Sequence, residues 1–328
     1  MVRILRKAVE EARNIALILH VSPDGDACGS SFALLHAFSG LGKDVSIFCD
    51  DPVPENCQNL PGADCVQKYG FAAKKAFDLA VAVDVGDVER MGECAVIFHE
   101  AKETAQIDHH GTNSGYAGIN CVVSPLSATA VLAAQLIEAL SVPFDLVIAE
   151  CLYVAVASDT GNFKYHNTDA QALRLAARCL ELGVDPQEAA SRLFDTKPYP
   201  QMLLTAKAIE SMRLLEAGAI ALMQLTQEDF QKTGALPEHT EGIVNFARNT
   251  KGVRMSCLLI EQEQKVRCNL RSLFPYDIST IAKRFGGGGH AQAAGCTLDA
   301  PLAFARQLLT EAMLEEWRRN RSTDFSIS

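Results

Sequence analysis

The first half of the chain alternates short apolar runs with stretches of helical periodicity, and this alternation restricts the fold more than any other feature. IALILH (15–20), DVSIFC (44–49), LAVAVD (79–84), AVIFHE (95–100) and GINCVV (118–123) read as strands. ACGSSFALLHAFSGLG reads as a helix closed by Gly40 and Gly42, and SATAVLAAQLIEAL as one followed by Pro143. DLVIAECLYVAVASD has the length of a buried helix, with a strand as the alternative. Strands alternating with helices pair in parallel, because each crossover helix carries the chain back to start the next strand in the same direction. Near-continuous apolar runs further imply that both faces of the sheet are covered. The predicted class is α/β, a mostly parallel sheet flanked by helices.

From Asn167 to about Glu216 the pattern turns helical, broken by LGVDP (182–186) and TKPYP (196–200), where Gly183 and three prolines interrupt it. Beyond it AIALMQL, VRMSCLLIEQ and KVRCNLR read as strands, EGIVNFARN and DISTIAKRF as helices, and PLAFARQLLTEAMLEEWRRN as a closing helix. The last eight residues, RSTDFSIS, are expected to fray. With 328 residues the chain exceeds one typical domain. The predicted division is an α/β domain over 1–185, a helical linker over 186–215 and a smaller α+β domain over 216–328.

Hydrophobic residues make up 48% and charged residues 21%, a globular balance that disfavours disorder. No run approaches the ~18 apolar residues of a membrane helix. Glu10 and Glu11 interrupt the start of the chain, which is no secretory leader, so the expected location is cytoplasmic. The 11 cysteines, spread from Cys28 to Cys296 without a C-x-x-C pair, read as small buried hydrophobes of a reducing compartment. A net charge of −10 argues against sequence-independent binding of long duplex DNA. From Arg248 to Arg284, however, eight basic residues face three acidic ones, either a seat for a small anion or a solvated charged face.

Ligands of open parallel sheets sit beyond the carboxyl ends of the strands, and four polar clusters fall there. In HVSPDGDACGS, His20 ends a strand, Pro23 and Gly25 shape a turn, and Asp24 and Asp26 can face one point before a helix starts near Ala27. VDVGD places Asp84 at a strand end with Asp87 nearby; IDHHGTN supplies Asp108, His109 and His110; SDTGNFKYHN supplies Asp159. Singly, each fits a turn or a helix cap. Jointly they gather acids and imidazoles at sheet ends that should converge, and buried carboxylates without compensation are costly. His20, Asp24, Asp26, Asp84, His109 and Asp159 are hard oxygen and nitrogen donors without a thiolate, a set that suits Mn2+ or Mg2+. Six ligands exceed what one catalytic ion takes, so two ions are expected. Two such ions neutralise four carboxylates and suit phosphoester hydrolysis.

HVSPDGD, VDVGD, IDHHGTN and SDTGNF, in this order, resemble the four motifs of the DHH phosphoesterase superfamily. LRS (270–272) and FGGGGHAQAAG (285–295) resemble the signature of its DHH-associated substrate-binding domain. The likeness spans roughly residues 15 to 296, and size and motif set are similar to the stand-alone nano-RNase branch, oligoribonucleases that also dephosphorylate 3′-phosphoadenosine 5′-phosphate (pAp). The RecJ exonucleases are longer, and family II pyrophosphatases lack G-G-G-G-H.

The resemblance implies that His20, Asp24 and Asp84 hold one Mn2+, that Asp26, Asp84, His109 and Asp159 hold a second, and that Mg2+ or another divalent ion is the alternative. It implies that Asp108 orients an imidazole, that His110 points at the substrate phosphate, and that Asn113 supports this loop or the substrate. Arg271, Ser272, Gly287, Gly288, Gly289 and His290 would bind substrate, Arg271 by its fork and the glycine run by its amides. Phe163, Tyr165 and Phe285 are candidates either for base stacking or for the core. The expected partners are short oligoribonucleotides, pAp or dinucleotides in an interdomain cleft, with no membrane and no long duplex DNA; a homodimer is compatible with this. Two alternatives are a phosphodiesterase acting on linear or cyclic dinucleotides such as pApA or c-di-AMP, and a catalytically idle nucleotide-binding module. The second would require a missing ligand.

Overall fold

Successive residues of β1 (Asn14–Ile18) enter two different apolar cores: Ile15 and Leu17 face one, Ala16 and Ile18 the other. The computed structural model describes residues 1–71 and 76–324, and forms two units, Met1–Thr196 and Lys197–Ser328. In the first, β1 is joined by β2 (Asp44–Phe48), β3 (Val66–Gln67), β4 (Leu79–Val83), β5 (Glu103–Asp108) and β6 (Ile119–Val122). All pairings are parallel, in the order β3-β2-β1-β4-β5-β6. β4 alternates as β1 does, sending Leu79, Val81 and Val83 to one core and Ala80 and Ala82 to the other. Each large side chain buried this way contributes about 1.5–3 kcal/mol, so both faces of the sheet must be covered.

The helices of this unit are α1 (Val2–Glu11), α2 (Gly25–Gly40), α3 (Ala95–Glu100), α4 (Thr129–Ala139), α5 (Leu146–Asp159), α6 (Ala170–Glu181) and α7 (Pro186–Ala190). All except α3 send side chains to the first core, and α3 covers the other. DLVIAECLYVAVASD is the buried helix α5, opened by Asp145, whose carboxylate accepts from the Ile148 amide at 2.9 Å. AVIFHE is not the expected strand but α3. Cys94, Ile97 and Phe98 are buried while Val96, His99 and Glu100 are exposed, a spacing of three and four that only a helix produces. β5 escaped notice as an apolar run because its Thr104 and Gln106 are polar; Gln106 is buried and bonded to Asn120 and Asn113.

The second unit comprises α8 (Tyr199–Glu210), β7 (Arg213–Leu215), β8 (Ile220–Leu225), α9 (Gln227–Thr233), α10 (Val244–Arg248), β9 (Met255–Glu261), β10 (Val266–Ser272), α11 (Ile278–Arg284), β11 (Gly288–His290), β12 (Ala293–Leu298) and α12 (Leu302–Asp324). Its sheet runs β11-β12-β10-β9-β8-β7, antiparallel except for the β8–β9 pair. Residues 186–196, α7 and a π turn at Ser191–Asp195, fall in the first unit, and residues 197–215 in the second. The expected fraying of RSTDFSIS does not begin at Arg321: α12 continues to Asp324, where Asn320 still bonds back to Glu316, and residues 325–328 lie outside the described residues. All 11 cysteines are free and all but Cys65 are buried. No described helix is long and apolar enough to cross a membrane.

α2 and α5 pack closely because α2 carries Gly29. A Cβ there would meet the Cys151 carbonyl and lie 2.8 Å from the Ala155 methyl. Gly29→Ala is therefore expected to push the helices apart and destabilise the fold by about 1–3 kcal/mol, seen as a lower urea midpoint. An unchanged midpoint contradicts this packing.

Candidate metal centre

The strand order reverses between β1 and β4, the point at which doubly wound sheets open a crevice for ligands. His20 follows β1 by two residues, Asp84 follows β4 directly, and Asp108 to His110 end β5. Asp24 is the N-cap of α2, its Oδ1 accepting from the amides of Asp26 and Ala27 at 3.0 and 3.1 Å. The cap starts the helix at Gly25, two residues earlier than expected, and places Asp26 in its buried first turn. Asp26 accepts from the Thr129 and Ala130 amides at 2.6 and 3.0 Å and from Ser30 Oγ at 3.0 Å. The amides belong to the first turn of α4, so the positive end of that helix supports the carboxylate. Thr129 Oγ1 also donates to Asp84 at 2.8 Å. Asp84 itself has φ +60, a left-handed conformation that costs a non-glycine residue free energy and turns the carboxylate away from the strand path.

The imidazoles are oriented by backbone carbonyls. His109 Nδ1 lies 3.0 Å from the Leu126 carbonyl and His20 Nδ1 2.8 Å from that of Val21. Donating there leaves the Nε2 lone pairs to face the acids. His109 Nε2 stands 3.3 Å from Asp159, 3.6 Å from Asp84 and 4.0 Å from Asp26; His20 Nε2 stands 3.9 Å from Asp84 and 4.0 Å from Asp24. His110 Nδ1 pairs with Asp108 at 2.7 Å, and Asn113 donates to the other Asp108 oxygen at 2.6 Å and to Gln106 at 2.7 Å. Three groups bring their donor atoms within 4.8 Å of one another: His20–Asp24–Asp84, Asp26–His109–Asp159 and Asp84–His109–His110. The four polar clusters thus meet at one end of the sheet.

Their electrostatics follow from burial and crowding. Burial, and then Asp159, pushes the Asp26 carboxyl up to about 7. Burial with the neighbouring Asp26 and Asp24 holds that of Asp84 far above the ordinary range. Asp159 is raised to about 6, by burial first and then by Asp24 and Asp108. Burial works against a charged His109, but Asp26 and Asp159 outweigh it and raise its pKa. Burial lowers that of His20. Asp108 moves the other way: its bonds from His110 and Asn113 outweigh burial and hold it below the ordinary range. Crowded acids that resist ionisation, with imidazole nitrogens facing them, fit divalent cations. Ligands of a cation with bonds of about 2.1 Å stand about 3 Å apart or more, close to the separations found here.

In the second unit Arg271 on β10 and His290 on β11 both pair with Ala293 of β12. Arg271 Nη1 donates to the Leu270 carbonyl at 2.9 Å. The Ser272 hydroxyl is spent on the carbonyls of Tyr276 and Ala291. The second half of the glycine run, Gly288 and Gly289, lies in the edge strand β11. The Gly287 amide closes α11 on the Ala282 carbonyl, Gly288 pairs with Gly295, and Gly289, at φ +134, presses on Ala294. Phe163 packs edge-on against Tyr153 and Phe285 packs on the second core, whereas Tyr165 is partly exposed. Two site residues escaped the sequence reading: Thr129, whose signal was a hydroxyl opening a helix, and Arg90, whose Nη2 lies 2.9 Å from His20 Nδ1 and which no motif marks.

The family model for the DHH family N-terminal domain matches residues 14–156, and that for the DHHA1 domain matches residues 220–316. The chain is 33% identical over 320 residues, 95% of its length and 92% of the relative's, to the bifunctional oligoribonuclease and PAP phosphatase NrnA of Thermus thermophilus. Identity to the protein of the same name from Bacillus subtilis is 24%, over 87% of this chain and 89% of that one. An exopolyphosphatase-related protein from Bacteroides fragilis superposes with a TM-score of 0.92 at 26% identity, covering 97% of this chain and 96% of that chain. RecJ of Thermus thermophilus, solved with Mn2+, shares the fold at a TM-score of 0.54 and 16% identity, this chain spanning 54% of it. The chain belongs to the DHH family, with a DHHA1 domain as its second unit.

Proposed function

We propose that this DHH-family enzyme hydrolyses phosphoester bonds with two divalent cations, Mn2+ or Mg2+, and that its substrates are very short oligoribonucleotides and pAp. The observation that carries the reading is a pair of adjoining donor groups, His20–Asp24–Asp84 and Asp26–His109–Asp159, with Asp84 of the first 3.6 Å from His109 of the second. One ion would sit on His20, Asp24 and Asp84, the other on Asp26, Asp84, His109 and Asp159. When bound, two such ions supply the positive charge that polarises the phosphoryl group and the attacking water. The substrate class follows the relatives named as oligoribonuclease and PAP phosphatase, which match nearly the whole chain.

The chain's own residues do the rest. Asp108, tied down by Asn113, accepts a hydrogen bond from Nδ1 of His110 and leaves Nε2 of that ring for a substrate oxygen. Thr129 and the first amides of α4 hold the carboxylates of Asp84 and Asp26 in place. In the second unit Arg271 offers a planar fork suited to phosphate, with His290 two strands away. The Ser272 hydroxyl and the Gly287 amide already serve the fold, so their contribution is to shape that surface, as is that of Gly288 and Gly289.

A panel of pAp, pApA and RNA of two to about fifteen nucleotides, sized so that loop or channel binders of longer strands would show themselves, tests the reading with Mn2+. Release of mononucleotides or phosphate from the shortest members is expected; a preference for long RNA, or no turnover of any, contradicts it. Asp84→Asn should lower kcat by about a hundredfold or more, since mere supporting partners of ligands already cost 10–100-fold. A variant with wild-type turnover removes Asp84 from the site.

Acidity gives a second test. In metal-stripped protein Asp26 keeps its proton up to about 7, whereas an unfolded chain loses it near 3.8. A raised carboxyl disfavours the folded state once ionised, so stability should fall as pH rises from about 4 to about 7. Cations compete with those protons and bind better at high pH. The rise in Tm on adding Mn2+ should therefore be larger at pH 8 than at pH 5. An equal rise at both pH values, or none, counts against cation binding by these carboxylates.

A further inference from the structure

Arg90 sits outside the donor groups, on the connection that follows β4. Its Nη2 lies 2.9 Å from His20 Nδ1 and 3.3 Å from the Val21 carbonyl, while that Nδ1 is itself 2.8 Å from the same carbonyl. The Val21 carbonyl can accept from both nitrogens, but the two nitrogens, 2.9 Å apart, cannot both donate to each other. If Nδ1 bears the proton it bonds Val21, and the guanidinium meets a second donor. If the guanidinium donates to Nδ1, the ring lone pair accepts it and the carbonyl oxygen faces that nitrogen with no hydrogen between them. The first state is the one that leaves the His20 Nε2 lone pair toward Asp24 and Asp84, and in it Arg90 gains nothing from the ring.

The rest of its surroundings leave the guanidinium uncommitted. Arg90 is exposed, and among the described residues no carboxylate pairs with it. Its backbone, by contrast, is anchored. The Val21 amide donates to the Arg90 carbonyl at 2.7 Å, the Arg90 amide bonds Asp87, and the next residue, Met91, is fully buried. A long cation on a fixed base thus stands at the edge of the acidic crevice with most of its five N–H donors unspent.

We propose that Arg90 binds substrate, holding a phosphate other than the one hydrolysed. The inference rests on the phosphoesterase reading, in which pAp and every oligonucleotide carry such a second phosphate. Once divalent cations balance the four ligand carboxylates, the guanidinium is the unbalanced charge beside His20, and its fork matches phosphate oxygens. It would therefore discriminate between doubly and singly phosphorylated ligands rather than drive the chemistry.

The test is calorimetric binding to the Mn2+-loaded full-length protein of two non-hydrolysable ligands, a bisphosphonate analogue of pAp and its 3′-monophosphonate counterpart, which lacks the 5′ group that Arg90 would hold. Arg90→Gln is expected to reduce the preference for the bisphosphonate by about tenfold or more, the worth of a charge-assisted contact. Arg90→Lys, which keeps the charge but loses the fork, should fall between, and it decides the matter if Arg90→Gln does not fold. Equal weakening of both ligands would assign Arg90 to holding His20 and overturn the proposal, as would an unchanged preference or no binding of the bisphosphonate. If Arg90→Gln reduces the preference while the wild-type protein hydrolyses no phosphoester, Arg90 stays a phosphate ligand and the enzymatic reading falls instead.

Discussion

Carboxylates crowded against one another in a buried crevice are the constraint on which the first unit depends. Asp26 and Asp84 are both removed from water, and burial together with neighbouring acids raises the pKa of each. Such a cluster is costly in an uncharged environment, and the fold offsets the cost locally. The first amides of α4 and the Ser30 hydroxyl serve Asp26, and Thr129 serves Asp84. What they leave uncompensated is negative charge, and that residue of charge is the property on which the proposed cation binding rests.

The architecture explains why the acids meet at all. A parallel sheet delivers all its carboxyl ends to one side, and the reversal between β1 and β4 opens space there. His20 and Asp84, sixty-four positions apart, become neighbours because their strands pair residue for residue, Ile18 with Ala82. Asp159 arrives by a different route, as the last residue of the buried helix α5, whose close approach to α2 requires Gly29. Packing between two helices therefore sets the position of one candidate donor relative to the others. The strained backbone of Asp84 belongs to the same logic, since a relaxed strand end would send its carboxylate elsewhere.

The two units differ in how openly their chemistry shows. In the first, polar side chains at sheet ends stand out against apolar strands. In the second, the glycine run suggested amides that hold an anion, and its last two residues form an edge strand in which glycine is needed because β12 lies against it. Side chains at Gly287 and Gly289 would collide with residues 293 to 296. The same residues permit both explanations, and only the pairing reveals that close approach of two backbones is one of them. Ser272 carries a similar lesson: its hydroxyl, read as a substrate contact, closes the turn after β10.

Local periodicity sufficed for most elements, because burial on one face or two leaves a repeat of two or of 3.6 in the residues themselves. It was misleading at 95–100, where six mostly apolar residues carry too little repeat to separate strand from helix, and silent at β5, whose buried Gln106 is satisfied by hydrogen bonds rather than by apolar contact. The donor residues His20, Asp24, Asp26, Asp84, His109 and Asp159 were legible from chemistry alone, as acids and imidazoles gathered in polar clusters that close apolar segments or open a helix. Their grouping into adjoining sets, the tie between His110 and Asp108, the support from Thr129 and the guanidinium of Arg90 beside His20 were decided by the tertiary structure. The physical reason is that a residue's type and its local repeat are written along the chain. Which distant side chain it meets depends on strand order, helix packing and the few backbone angles that aim it.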